Sequence, residues 1–98
     1  TRFFRHDRTG WEHVTRDRDA AYADARQADI AEYGLKPDGY TRESGEGFTL
    51  LHSVPAKFNR AVLYSSTVLH SGDLGDSPTF DATPETGRLT VNTFVSPA

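Results

Sequence analysis

Two places late in this 98-residue chain carry side chains able to grip a ligand. His70 ends the run Tyr64-Ser65-Ser66-Thr67-Val68-Leu69-His70-Ser71-Gly72. A neutral imidazole at the end of an apolar strand can hold a divalent metal through one ring nitrogen. The second place is Arg88-Leu89-Thr90-Val91-Asn92-Thr93-Phe94-Val95. Strand alternation puts Arg88, Thr90, Asn92 and Phe94 on one face and Leu89, Val91, Thr93 and Val95 on the other. An Arg with a hydroxyl two residues on can grip a carboxylate, by a bidentate fork plus one neutral donor. Each feature also has a plainer reading. An Arg and a Thr are ordinary on a solvent face, and a single His at a strand end is often inert.

Taken together, the two form an ordered string: Asn59-Arg60-Ala61-Val62-Leu63-Tyr64, Val68-Leu69-His70-Ser71-Gly72, a loop, then Gly87-Arg88-Leu89-Thr90-Val91-Asn92. The string resembles the C-terminal half of the 2-oxoglutarate/Fe(II)-dependent dioxygenase superfamily, in its prolyl-hydroxylase-like branch. The opening Thr1-Arg2-Phe3-Phe4-Arg5-His6-Asp7-Arg8-Thr9-Gly10 resembles an uncharacterised bacterial group of that superfamily. The resemblance implies a double-stranded β-helix, a jelly-roll or cupin-like barrel, that binds Fe(II) and 2-oxoglutarate. His70 would be the distal iron ligand. Arg88 would pair with the far carboxylate of 2-oxoglutarate, with Thr90 beside it. The reaction implied is hydroxylation of a C–H bond, with succinate and CO₂ released. The substrate, a small molecule or a peptide, is not specified by the resemblance.

The iron of such sites is held by two His and one carboxylate, and the family supplies two of these as His-x-Asp or His-x-Glu. No such pair exists in this sequence. His6-Asp7 is adjacent, His13 is followed by Val14-Thr15, and His52 by Ser53-Val54. The chain also lacks Met and opens on Thr1. The expectation is therefore the C-terminal portion of one barrel domain, inactive alone, with the missing ligands upstream. The rival is a cupin-like binding or structural module without metal.

Other candidates are weaker. His6, His13 and His52 fall on different elements and read as structural or exposed. Asp73, Asp76, Asp81 and Glu85 match no EF-hand spacing, and their segment reads as a solvated loop. Ser65-Ser66 lacks the Gly-x-Ser-x-Gly context of a serine hydrolase. Trp11, Tyr22 and Tyr33 read as packing residues.

The elements that must position these groups read as mainly β with one surface helix. Strands are expected over 1–6, 48–54, 59–64, 67–70 and 88–95, from alternation bounded by turn residues. Residues 16–33 read as a helix: Thr15 or Asp17 as N-cap, six alanines, a stripe at Tyr22, Ala25/Arg26, Ile30 and Tyr33, and Gly34 as the stop. Composition narrows the rest. There is no Cys, which excludes disulfides and thiolate metal sites. A net charge of -3 gives no footprint for nucleic acid. No apolar run approaches the roughly 20 residues of a membrane span, and no secretory signal is visible, so a cytoplasmic location is expected. Open sheet edges are expected to drive self-association.

Overall fold

The computed structural model describes residues 1–36, 39–75, 81–87 and 89–97. Strand β1 is Arg2–His6, helix α1 is Asp19–Tyr33, β2 is Phe48–Ser53 and β3 is His70–Ser71. The sheet is open and antiparallel in the order β2-β1-β3. Its central strand alternates: Phe4 and His6 are buried while Arg5 is exposed. A single 3-10 turn, Arg16–Arg18, leads into α1. Arg18 occupies the N-cap position of α1 and gives no side-chain cap, so neither Thr15 nor Asp17 caps the α-helix itself. The backbone N–H of Arg18 instead donates to the Thr15 carbonyl at 2.8 Å, which occupies a donor that a capping side chain usually satisfies. Gly34, at φ 84°, ends the helix by donating to the Ile30 carbonyl at 2.8 Å. Among the described residues, no helix is long and apolar enough to cross a membrane.

The core sits between the inner face of the sheet and one side of α1. Phe4 and Phe48 are buried and meet edge to face at 6.2 Å. The His6 ring continues this packing, 5.3 Å from Phe48 and 5.1 Å from Tyr22. Among the described residues, the two fully buried side chains are both ionisable, His6 and Asp29. Tyr22, Arg26 and Asp29 lie at i, i+4 and i+7, so one helical stripe faces the sheet. Tyr33, at the end of that stripe, is exposed rather than packed.

Two expected strands do not form among the described residues. Residues 59–64 run as irregular chain, and so do 89–95; Arg88 lies outside the described residues. Leu63, Leu89, Val91, Phe94 and Val95 are all exposed. Around 67–70, Val68 makes only an isolated bridge to His13, and the paired strand is His70–Ser71. A strand needs an edge to pair with, and β propensity expresses itself only in such a context. One end of the outer edge of β2 is already used by its own turn, where the Leu50 N–H donates to the Ser44 hydroxyl at 2.8 Å and Gly45 bridges Phe48. The mixed arrangement of one helix and a three-stranded open sheet accounts for the described regular structure. The Cα radius of gyration, 15.3 Å, exceeds the roughly 13 Å of a fully packed chain of this length.

Gly47 is needed where it stands. Its φ is +93°, and a Cβ there would lie 2.9 Å from Oδ2 of Asp29. Gly47→Ala is expected to destabilise the fold by about 1–2 kcal/mol, from backbone strain and displacement of Asp29. Urea unfolding of the two proteins checks this, and an unchanged midpoint would show that the turn relaxes freely.

Candidate functional site

The outer face of the sheet, turned away from α1, is built around Phe3. In the ladder Phe3 pairs with His52 on β2 and with His70 on β3. Residues directly opposite each other point to the same face, so His52, Phe3 and His70 form one row. With strands about 4.8 Å apart, the row spans roughly 10 Å between its outer Cα atoms. Tyr64 lies across it, edge to face with Phe3 at 5.2 Å and with His70 at 4.7 Å. Both imidazoles are exposed.

His52 reaches this row because the ladder is irregular. His6 pairs with Phe48, Arg5 with Thr49 and Phe4 with Leu50, but Phe3 pairs with His52, so Leu51 is an extra residue on β2. Strict alternation from Phe48 would send His52 inward with Leu50. The bulge at Leu51 turns it outward, the kind of re-aiming that bulges provide.

His70 is oriented by its own strand. Its Nδ1–H donates to the Val68 carbonyl at 2.7 Å. In the neutral ring this leaves Nε2 with a free lone pair, the arrangement in which a histidine ligates a metal. Thr90 is exposed in irregular chain, and Arg88 lies outside the described residues. Among the described residues, no three His, Asp or Glu side chains are grouped to hold an ion. The Nε2 of His70 has no hydrogen-bond partner among the described residues on the face it shares with Phe3 and His52.

On the opposite face, a cleft of about 140 Å³ is bordered by Phe4, Tyr22, Phe48 and Leu69, with Thr41 and the strand at His70–Ser71 at its rim. Beneath its aromatic wall lies a buried ionic cluster that the sequence pattern did not reveal. His6 Nε2–H donates to Oδ2 of Asp29 at 2.5 Å, and Nδ1 shares a 2.8 Å hydrogen bond with the Thr9 hydroxyl. Arg8 Nε donates to Oδ1 of Asp29 at 2.7 Å, and Arg26 donates to Oδ2 at 3.2 Å. Glu32 takes the other end of Arg8 at 2.5 Å. Burial pushes the Asp29 carboxyl up, but hydrogen bonds from Arg8, His6 and Arg26 outweigh it and hold the group below the ordinary carboxylate range. Both ring nitrogens of His6 are engaged and the ring is sealed from water, so the cluster fixes α1 to the sheet rather than presenting a reactive group. The trace of the cluster in the sequence is the Tyr22, Arg26, Asp29 spacing, which puts an acid on the helix face turned to the sheet.

Residues 1–95 match the sequence profile of a family of unknown function, DUF6445. The chain belongs to that family. No curated protein and no solved structure matches it. DUF6445 therefore supplies a grouping for nearly the whole chain, and the function must be argued from the side chains.

Proposed function

We propose that this DUF6445 chain carries part of an Fe(II)/2-oxoglutarate-dependent oxygenase site of the hydroxylase type, built in a jelly-roll barrel. The observation that supports it is His70: an imidazole tethered through Nδ1 to a backbone carbonyl, with Nε2 free, on the sheet face that α1 leaves open. The order of the chain supports it too, since Arg88 and Thr90 follow His70 in the sequence. A barrel of this class packs its site between two sheets, and the outer face carries the exposed His pair that a second sheet would enclose. His70 would hold the metal through Nε2, and Arg88 with Thr90 would hold the cosubstrate. The described residues do not complete the ligand set, so the rest of it would have to come from parts of the protein beyond the described residues. With iron bound, the group would supply O₂ activation for C–H hydroxylation. The work of this chain is to present one imidazole in a fixed tautomer and to anchor an anion beside it.

The test is anaerobic addition of Fe(II) and 2-oxoglutarate to the natural full-length protein, followed by visible spectroscopy. A charge-transfer band from chelated 2-oxoglutarate is expected, and His70→Ala should abolish it. Arg88→Ala should weaken 2-oxoglutarate by about 1.5–3 kcal/mol, the range for hydrogen bonds to charged groups. Arg88→Lys should fall between, and Thr90→Val should cost less. A band that survives His70→Ala would remove His70 as a metal ligand, and no band in the parent protein would favour the metal-free cupin-like binding module instead.

A further inference from the structure

The outer face holds more than His70. Arg5 lies two residues from Phe3 on β1, and the burial pattern of that strand turns it away from α1. Arg5 is exposed, and neither its guanidinium nor the His52 imidazole has a side-chain partner among the described residues. Asp7 borders this face on β1's side, and its Oδ1 already accepts a hydrogen bond from the Thr49 hydroxyl at 2.5 Å. A full positive charge and two imidazoles therefore surround an aromatic platform made of Phe3 and Tyr64. The bulge at Leu51 is what brings His52 to this platform.

We propose that this face binds a small organic anion with a planar apolar body, of the aromatic carboxylate class. The flat body lies against the Phe3 ring with Tyr64 at its edge, since those two rings stand 79° apart and aromatic pairs favour edge-to-face or offset contact. The carboxylate is held by Arg5, whose planar fork matches it, and His52 adds a second donor. Charge complementarity selects this occupant over a neutral apolar one. The proposal deepens the oxygenase reading, resting on it only in that the bound anion would be the substrate held beside His70.

The probe is 3-phenylpropanoate, titrated without metal into the natural full-length protein and followed by NMR of the histidine and phenylalanine ring signals. Two controls accompany it: the uncharged 3-phenylpropanamide and the ring-free propanoate. Saturable binding of 3-phenylpropanoate alone, with shifts at His52 and the Phe3 ring, is expected. Arg5→Gln should weaken it about tenfold, and His52→Ala by several-fold, because hydrogen bonds to charged groups are among the stronger ones. His13→Ala, exposed and off this row, should leave it unchanged. Both test positions are exposed, so the variants should keep the parent far-ultraviolet dichroism. Equal binding of all three probes, unchanged affinity in Arg5→Gln, or shifts elsewhere would overturn the proposal. A further arm with 2-oxoglutarate and Fe(II) separates the two readings. A charge-transfer band without 3-phenylpropanoate binding sinks only this proposal. Binding at His52 with no band leaves the anion site and removes the oxygenase.

Discussion

Asp29→Ala is expected to destabilise the protein by about 3 kcal/mol at pH 7, the lower end of the range for breaking a buried ion pair by removing one partner. The carboxylate is buried and accepts hydrogen bonds from His6, Arg8 and Arg26. Arg8 and Arg26 keep 40% and 31% of their side-chain exposure, so they can turn to water once the acid is gone. His6 has no exposure at all and cannot. Its Nε2–H would be left without an acceptor, and that unsatisfied donor accounts for most of the loss. Asp29→Asn keeps one carbonyl oxygen for His6 and should lose less. The same pair has a signature in acid. Asp29 in the folded protein sits below its ordinary value, so its contribution is complete above the unfolded value of about 3.9 and is lost as pH falls through the lower, folded value. The stability gap between the parent and Asp29→Asn, measured by urea unfolding at pH 7 and again near pH 3, should therefore narrow in acid. A gap that stays constant would assign the acid sensitivity to other carboxylates.

The sequence showed local structure better than long-range pairing. Alternation at Arg2-Phe3-Phe4-Arg5-His6 and at Phe48-Thr49-Leu50 marked β1 and the start of β2, and the alanine run with Gly34 marked α1. These signals lie within a few residues of one another, so a linear reading captures them. His52 could not be placed that way. Its face depends on one extra residue in the ladder, and a one-residue shift in register moves a side chain to the other side of the sheet. The link between His6 and Asp29, 23 residues apart, was hidden for a related reason. An acid on a helix normally reads as solvent-facing, and only the cations gathered around it make its burial tolerable. The segments 59–64 and 89–95 show the opposite failure. Their residues have strand-like patterns, yet no neighbouring edge among the described residues is paired with them. For His70 the structure adds the hydrogen bond from its Nδ1–H to the Val68 carbonyl, which sets the tautomer.

Phe4→Ala should be the most damaging change to the apolar core, at about 3–5 kcal/mol. Phe4 is 2% exposed, lies on the central strand, and packs edge to face on Phe48. Among the described residues these two are the buried apolar side chains, so nothing nearby can move in to fill the space. The cavity would open into the cleft that Phe4 already borders with Tyr22 and Leu69, loosening the wall above His6 and Asp29. Phe58→Ala is the matching control, since Phe58 is 94% exposed and a surface change of this kind is usually within about 0.5 kcal/mol of neutral. Thermal and urea unfolding of the full-length protein should therefore separate the two variants widely. Equal losses at both positions would mean that Phe58 is covered by chain beyond the described residues. The irregular segment around it would then belong to a larger core, as the second sheet of a barrel requires.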